Sequence, residues 1–308
     1  MDFARGINIG GHYERTPVSG EQFCSDISDD CYDEIKRLGF DHVRLPVKWS
    51  AHTDDEHSSK IDSRFLDTVK GSVDNFINRG ISVILNVHHF REAADEPRKN
   101  ARKLFAIWEQ LADIFKNYPD SLIFEVFNEP TWRADAKEWN SVQNEAVSLI
   151  RQTNPTRKIE VCGVDYSGLF TLDYVTPPEN DENLIGTFHY YAPMEFTHQG
   201  ASWSATYRDV SGVHWNGTAD ELAYIRNSIY DHAVCWGKKY NLPLNLGEFG
   251  VYGRVSELGE RAAWTKAVRD VCEEYGISWT YWEYDSGFGI RNRKTGEYVQ
   301  QIVDALLK

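Results

Sequence analysis

The sequence predicts an α/β fold, namely a single (β/α)8 TIM barrel that takes in residues 1–308 as one domain. Apolar, β-favouring runs alternate with helical patterns along the whole chain and give eight strand–helix units. No linker, charged tail or short repeat divides these units, which favours one closed sheet. An open doubly wound sheet is the alternative, but no Gly-x-Gly-x-x-Gly turn follows the first strand.

The order of the predicted elements is regular. The strands are residues 3–9, 41–47, 81–88, 122–127, 158–163, 183–189, 242–248 and 277–282. The helices are residues 28–38, 62–79, 100–116, 136–152, 219–240, 255–275 and 298–307. Ser28 is the predicted N-cap of the first helix, and Gly39 and Gly80 end the first two helices. The connection after the fifth strand, through Pro177 and Pro178, carries little helical signal.

The chain is acidic and rich in aromatic residues. Its formal net charge is -14, and 13% of its residues are Phe, Trp or Tyr. Because nucleic acids bind to basic surfaces, this charge argues against a nucleic-acid partner and suits a neutral or cationic ligand better. Exposed aromatic rings would stack on a polysaccharide or another planar ligand. The basic clusters at 98–103 and 291–294 are interpreted as solvated faces.

Neither a membrane segment nor a disulfide framework is predicted. No apolar run reaches the ~18 residues that a membrane-spanning helix needs. The cysteines form no C-x-x-C pair and are interpreted as reduced or buried thiols; they are Cys24, Cys31, Cys162, Cys235 and Cys272. The first five residues lack a signal peptide's apolar segment, so we expect either a cytoplasmic protein or one whose leader is absent from this sequence. We also expect a monomer.

Polar side chains cluster where the predicted strands end. The fourth strand lies in S-L-I-F-E-V-F-N-E-P (121–130), where Pro130 cannot donate a ladder hydrogen bond and leaves Asn128 and Glu129 at the strand's mouth. In a (β/α)8 barrel, catalytic groups lie at this end of the strands. The other strands contribute Arg44, His88, His89, His189, Tyr190, Tyr191, Glu248, Trp282 and Glu283.

Glu129 and Glu248 follow the fourth and seventh strands, which face each other across a barrel. Two carboxyl groups opposed across a pocket are what glycoside cleavage requires. One protonates the leaving oxygen, and the other attacks the anomeric carbon or activates water. The alternative for either glutamate is a structural salt bridge. Arg44 needs an anionic partner in any case, because an unpaired buried guanidinium is very costly.

The ordered set of motifs resembles glycoside hydrolase family 5, which contains endoglucanases and mannanases. N-E-P at 128–130 is similar to the family's acid/base motif, and G-E-F-G at 247–250 to its nucleophile motif. Arg44, His88, His189-x-Tyr191 and Trp282 match the remaining positions in order. The match runs from G-I-N-I-G (6–10) to D-S-G-F-G (285–289), and the segment 188–203 is especially close to bacterial endoglucanases.

The resemblance implies a retaining β-glycanase with Glu129 as the acid/base, Glu248 as the nucleophile and no metal or organic cofactor. We predict that Glu248 is ionised, with Arg44 and Tyr191 as hydrogen-bond donors, and that Glu129 is protonated. Asn128 would meet the sugar 2-hydroxyl, with capping of the strand end as the alternative role. Trp282 would form the floor beside the cleaved bond, with a place in the core as the alternative.

The histidines and the remaining tryptophans are assigned positions around the site rather than specific chemical roles. His88 is expected to face the barrel mouth, and His89 to line the rim or pack behind it, because adjacent strand residues point to opposite faces. His189 would orient the site together with Tyr191, while Tyr190 points outward or into the helical layer. Histidines beside carboxylates can bind zinc, but the ligand spacing here is not specific. Stacking on substrate and packing in the core are equally open for Trp203 and Trp215, and Trp49 and Trp132 are weaker stacking candidates.

One stretch departs from the family pattern. Endoglucanases of this type often read G-N-x-x-E after the first strand, whereas this chain reads G-G-H-Y-E at 10–14. Glu14 keeps the carboxylate, Gly11 replaces the asparagine, and His12 and Tyr13 could narrow that end of the cleft.

The expected substrate is a β-1,4-glucan or a related oligosaccharide, and an endoglucanase is the favoured activity. The alternatives are an endo-β-1,4-mannanase or mixed glucan/mannan hydrolase, an exo-acting β-glucosidase, and an inactive carbohydrate-binding barrel. The altered stretch at 10–14 prompts the exo-acting alternative, because a blocked end of the cleft would release only monosaccharide.

Overall fold

Eight parallel strands close into a barrel in the computed structural model, which describes residues 3–15, 27–54 and 59–308. Each strand pairs with the next one in the chain, and β8 pairs with β1, so the predicted closed sheet is confirmed. The strands are β1 Arg5–Asn8, β2 His42–Leu45, β3 Ser82–Asn86, β4 Leu122–Glu125, β5 Ile159–Val161, β6 Leu184–Tyr190, β7 Leu244–Phe249 and β8 Ser278–Tyr281.

Helices surround this barrel and cover the apolar outer faces of the strands. They are α1 Asp29–Leu38, α2 Ser63–Asn78, α3 Arg91–Asp95, α4 Pro97–Phe115, α5 Ala136–Arg151, α6 Val164–Ser167, α7 Met194–Thr197, α8 Ala219–Ser228, α9 Cys235–Tyr240, α10 Leu258–Glu274 and α11 Gln300–Leu307. A π-helical turn at Ile229–Val234 joins α8 to α9, so the one helix predicted over 219–240 is continuous but irregular. Trp108, Trp139 and Trp264 are fully buried between helices and sheet.

Several predicted element ends need correction. The third long helix begins at Pro97 rather than near residue 100, and proline suits this first position because its missing N–H would lack a partner there. Ser28 does precede α1, but its side chain makes no capping hydrogen bond. After β5 the chain forms the short α6 and a 3-10 helix at Leu169–Tyr174, although the sequence carries little helical signal there.

The inside of the barrel is layered. Phe3, Ile84, Ile123 and Ile185 form a separate apolar cluster of buried side chains. A second set of inward-facing residues is polar and fully buried, and it includes Asn8, Arg44, Glu125, Glu160 and Asn245. Because buried polar groups need partners, this layer is held by hydrogen bonds between strands rather than by apolar packing.

Some aromatic residues proposed for stacking belong to the core. Trp49 and Trp215 are buried, at 0% and 3% exposure, so a role in stacking on substrate is wrong for both. Tyr190 lies in the helical layer, as predicted, with its ring stacked on Trp264 at 6.1 Å. Trp132 and Trp203 are exposed.

The cysteines that the structure describes are free thiols, as expected. Cys31, Cys162, Cys235 and Cys272 are free, and Cys24 lies outside the described residues. Within the described ranges, no helix combines the length and the apolarity that crossing a bilayer requires.

Candidate active site

A β-bulge brings two site residues level with each other. β6 and β7 pair in regular register up to Phe188 and Leu246, and then His189 pairs with Glu248 instead of Gly247. A side chain at Gly247 would point inward, since its Cβ would approach Thr187 and His189. Strand alternation would therefore turn Glu248 outward. The extra residue in β7 interrupts the alternation of side chains along the strand, so that Glu248, like the residue before it, faces the barrel interior.

The two predicted catalytic carboxyl groups are close together. Glu129, His189 and Glu248 each offer one oxygen or nitrogen atom, and these three atoms lie within 4.8 Å of one another. His189 Nδ1 is 2.9 Å from Glu129 Oε1 and 3.6 Å from Glu248 Oε2. The Glu129 side chain keeps 27% exposure, whereas that of Glu248 keeps 7%. Glu129 is therefore the more accessible of the pair.

Arg44 is fully buried and connects four acceptors. Its Nε and NH2 groups donate to the two oxygens of Glu125 at 2.6 and 2.7 Å. NH1 donates to Glu248 Oε1 at 2.7 Å and to Asn8 Oδ1 at 2.9 Å. NH2 also donates to Asn128 Oδ1 at 2.5 Å, which fixes the orientation of that amide. The predicted contact between Arg44 and Glu248 is present, and Glu125 is an additional partner.

Glu248 receives a second hydrogen bond from Tyr191, whose hydroxyl donates to Oε2 at 3.0 Å. Each Glu248 oxygen thus accepts from one donor, as expected for an ionised carboxylate. Burial raises the pKa of Glu248 above its ordinary value, while His189 and Arg44 oppose this rise. The hydrogen bonds from Arg44 and Tyr191 favour the charged form.

Glu129 lies in a different environment. Burial raises the pKa of Glu129 to about 7, with the charge of Arg44 opposing and that of Glu125 adding to the rise. Burial also lowers the pKa of His189 to about 4, so its imidazole is neutral near pH 7. The hydrogen bond between His189 and Glu129 can therefore run in either direction, depending on which of the two carries the proton. This environment suits a carboxylic acid that holds its proton until it is needed.

The carboxyl groups open into a pocket of about 570 Å³ at the carboxyl ends of the strands. Eight predicted site residues line it: Glu14, His88, His89, Glu129, Tyr191, Trp203, Glu248 and Trp282. Arg44, Asn128 and His189 lie behind this surface. Arg44 contacts Glu248, His189 contacts Glu129, and Asn128 accepts from Arg44. The His88 ring is parallel to that of Trp282 at 5.9 Å. His88 is buried and His89 is exposed, but both line the pocket.

The altered stretch at 10–14 has an unexpected arrangement. The Glu14 carboxylate accepts hydrogen bonds from the backbone N–H groups of Gly11 and His12. Gly11 has a φ of 80°, and a Cβ there would lie 2.6 Å from the Arg293 NH2 group. Arg293 thus occupies the space beside Gly11, donating to the Gly10 carbonyl at 3.2 Å.

His12 and Tyr13 do not narrow the cleft. Neither side chain lines the pocket, and Tyr13 is buried, with its hydroxyl 2.7 Å from Ser72 Oγ. The expectation for these two residues is therefore wrong. Their place at this end of the pocket is taken by Gly11, Glu14 and Glu283.

Sequence reasoning missed several residues of the site. Glu125 lies inside the predicted fourth strand, and a charged residue in an apolar run was a signal that could have revealed it. Glu283 was placed at the end of the eighth strand but was given no role. It is buried at the pocket edge, where burial first, and then Glu14 and Asp285, raise its pKa to about 8. Three other lining residues, His198, Tyr252 and Phe288, were not assigned to the site. His198 and Phe288 lie in the segments 188–203 and 285–289 that carry the family resemblance, which was the signal that could have revealed them.

The same three groups also meet the geometric requirement of a cation site, since Glu129, His189 and Glu248 can each offer a ligand atom. Binding there would occupy the carboxylates that glycoside cleavage needs, and Arg44 already neutralises part of the charge of Glu248. The donor set therefore fits a transient inhibitory cation better than a resident cofactor.

Comparison with known proteins decides the family. The family described as Cellulase (glycosyl hydrolase family 5) matches residues 8–287. The chain belongs to glycosyl hydrolase family 5. It is therefore a glycoside hydrolase with the barrel of that family.

Individual members of family 5 are similar over nearly the whole chain. Endoglucanase H of Acetivibrio thermocellus is 32% identical over 98% of this chain, which spans only 32% of that relative's length. A hyperthermophilic endo-β-1,4-glucanase solved with substrate is 38% identical, with a TM-score of 0.93 over 99% of this chain and 96% of its own. Cel5A of Thermotoga maritima, solved with mannotriose, is 33% identical, with a TM-score of 0.93 over 99% of this chain and 97% of its own.

Proposed function

We propose that this chain is one catalytic domain, a retaining endo-β-1,4-glucanase that hydrolyses β-1,4-linked or mixed-linkage glucan by double displacement. The observation that carries the proposal is the approach of Glu129 and Glu248 oxygens to within 4.8 Å at one pocket. Retaining glycosidases hold their two carboxyl groups ~5–5.5 Å apart, whereas inverting enzymes leave ~6.5–9.5 Å for a water molecule.

In the first step, Glu248 attacks the anomeric carbon and the bond to the leaving sugar breaks. Glu129 transfers its proton to the leaving oxygen, so that a covalent glycosyl–enzyme ester and a free sugar hydroxyl result. Arg44 and Tyr191 aim the nucleophile through one hydrogen bond to each of its oxygens. Asn128, fixed by Arg44, is placed to meet the sugar 2-hydroxyl.

In the second step, water replaces the enzyme at the anomeric carbon. Glu129 is now a carboxylate and takes a proton from the attacking water, while Glu248 leaves as a carboxylate. Both residues return to their starting forms, and the anomeric configuration is retained. His189 positions Glu129 through its hydrogen bond to Oε1 in both steps.

The choice of glucan rests on the relatives, two of which are named as endoglucanases or endo-β-1,4-glucanases. A mixed glucan/mannan hydrolase is the second candidate, because Cel5A of Thermotoga maritima was solved with mannotriose. An exo-acting β-glucosidase would require a blocked end of the cleft. An inactive carbohydrate-binding barrel is disfavoured, because both glutamates face the pocket.

The deciding experiment is proton NMR of the earliest product from a cello-oligosaccharide. The β-anomer should appear first, and an initial α-anomer would contradict the retaining mechanism. Parallel assays on mixed-linkage β-glucan, glucomannan, galactomannan and short β-glucosides separate the candidate substrates. Mixed oligosaccharides indicate endo-action, glucose alone indicates an exo-acting enzyme, and no turnover of any β-glycan indicates a binding barrel.

A further inference from the structure

A second pocket, of about 410 Å³, lies beside the active-site pocket and shares Tyr252, Ser286 and Gly287 with it. We call it the lateral pocket and define it by Arg254, Arg261, Asp285, Arg291, Arg293 and Lys294. Its volume falls in the range of about 300–1,000 Å³ that small-molecule sites occupy. Because the two pockets share a wall, a substituent on a bound glycan can reach from one into the other.

The lateral pocket is basic in a protein whose formal net charge is -14. Five cationic side chains line it with one carboxylate, Asp285, which pairs with Arg293 at 2.6 Å. Arg291 lies 3.3 Å from Glu34, a residue outside the pocket. Among the described residues, no carboxylate forms an ion pair with Arg254 or Lys294, and both are exposed. The local charge is therefore positive even after these pairs are counted.

Arg261 makes this pocket different from an ordinary basic surface. It is buried, at 6% exposure. Its guanidinium donates to two carbonyl oxygens, at 3.1 Å to Val251 and 3.3 Å to Phe288, and also hydrogen-bonds to the Tyr281 hydroxyl. In the part of the chain that the structure describes, no carboxylate comes within 4.0 Å of it. It also lies near the N-terminus of α10, where the helix dipole adds positive charge. A buried cation of this kind is stabilised by an anion, which the protein itself does not supply there.

We propose that the lateral pocket is a subsite for an anionic substituent, a carboxylate or a phosphate, carried by the glycan bound in the active-site pocket. The inference rests on the proposed function, because the glycan delivers the charged group. The overall negative charge repels a long polyanion, so the subsite suits one charged group on an otherwise neutral chain. The preferred substrate is then a modified β-glucan rather than plain cellulose.

The test compares turnover of neutral cellotetraose with that of cellotetraoses charged at a single ring. One series carries a C6 carboxylate and the other a C6 phosphate, with the charge on each ring in turn. At least one charged isomer should exceed the neutral substrate by about tenfold in kcat/KM, the size of one charge-assisted contact. The preference should shrink as salt is added. The series with the higher kcat/KM identifies whether the subsite prefers a carboxylate or a phosphate.

The matched variants use exposed residues that leave the barrel intact. The double variant Arg254→Gln/Lys294→Gln should lose the preference and keep the kcat/KM for neutral cellotetraose. Lys238→Gln/Lys239→Gln makes the same charge change near the C-terminal end of α9, outside both pockets, and should keep the preference. No preference in the wild type, or a preference that survives in Arg254→Gln/Lys294→Gln, would overturn the subsite.

Binding separates this inference from the proposed function. Calorimetry with Glu129→Gln gives the dissociation constants of the charged and neutral cellotetraoses without turnover. Tighter binding of a charged isomer supports the subsite even if the wild type cleaves none of the glucans. Equal binding refutes the subsite even if the wild type is an active glucanase.

Discussion

Glu125 binds Arg44 with both carboxylate oxygens, whereas Glu248 binds it with one. Both members of the Arg44–Glu125 pair are buried, so the planar guanidinium is held in one orientation. That orientation directs NH1 at Glu248 and NH2 at Asn128. Glu125 thus positions two site residues indirectly, through the guanidinium that it holds.

We predict that Glu125→Gln destabilises the protein and slows catalysis together. The substitution leaves the buried guanidinium with one carboxylate partner, Glu248, instead of two, and removing one partner of a buried ion pair costs up to about 3–5 kcal/mol of unfolding free energy. Arg44 would also lose the bidentate contact that fixes its orientation toward Glu248 and Asn128. Chemical denaturation gives the first effect, and kcat/KM measured well below the unfolding temperature gives the second.

Glu145→Gln is the matched control, because Glu145 forms an exposed ion pair with Arg98 at 2.7 Å. Such pairs contribute about 0–1 kcal/mol, so this variant should behave like the wild type. A Glu125→Gln protein of normal stability and activity would contradict a positioning role for Glu125.

Variants of the two glutamates that we propose as catalytic should lose activity in different ways. Glu129→Gln removes the proton donor and should lower kcat about 10²–10⁴-fold, the contribution typical of general acid–base catalysis. Glu248→Gln removes the nucleophile and should abolish turnover without accumulation of a covalent ester. Steady-state kinetics and intact-protein mass spectrometry after mixing with substrate distinguish the two variants. Near-normal turnover by either variant would refute its assignment.

The sequence predicted the part of the site that depends on strand order. Parallel strands of a barrel end at one face, so the polar residues after each strand had to meet there. For this reason Glu129, Tyr191, Glu248 and Trp282 could be assembled without coordinates. The residues behind them were harder to predict. Glu125, for example, acts on the site only by binding the Arg44 guanidinium, and that contact is visible only in the folded barrel.

Other features depend on details that no local pattern encodes. The bulge that turns Glu248 inward adds one residue to β7, and nothing in G-E-F-G specifies its register. Trp203 and Trp215 lie in the same loop, yet one is exposed and the other buried, because the return path of the loop decides which faces the core. Arg293 contacts the carbonyl groups of Gly10 and Gly11, from which it is separated by more than 280 residues of sequence.

The pH dependence should follow the protonation of the two glutamates. The reaction needs ionised Glu248 and protonated Glu129, so kcat/KM should rise as Glu248 loses its proton and fall as Glu129 loses its own near pH 7. His189 has a pKa of about 4 and stays neutral along the falling limb. The measurement is the kcat/KM profile of the wild type beside that of Glu129→Gln. A falling limb that persists unchanged in Glu129→Gln would assign it to another group.

A chelator should leave the activity unchanged, and added zinc should inhibit it; a zinc-dependent enzyme would respond in the opposite way. The proposed mechanism uses no metal, so EDTA should leave the activity unchanged. Zinc should inhibit, because Glu129, His189 and Glu248 offer it three ligand atoms within 4.8 Å. Initial rates with chelator and with increasing zinc test both points. Loss of activity in EDTA that zinc restores would refute the metal-free mechanism.

Glu160 should make the protein less stable as the pH rises. It is fully buried on β5, where Oε1 accepts from Asn245 at 2.9 Å and Oε2 has no hydrogen-bond partner among the described residues. Burial, with Glu125 nearby, raises its pKa from 4.5 to about 8 in the folded protein. Between these values the folded state holds a proton that the unfolded state has lost, so the unfolding free energy falls with pH.

The variant Glu160→Gln removes this proton while keeping the shape and the acceptor for Asn245. Its unfolding free energy relative to the wild type should increase by about 1.4 kcal/mol per pH unit between pH 4.5 and about 8. Chemical denaturation across this range measures the difference. Glu109→Gln, an exposed change on α4, should show none of it. A constant difference at every pH would mean that Glu160 is already ionised in the folded barrel.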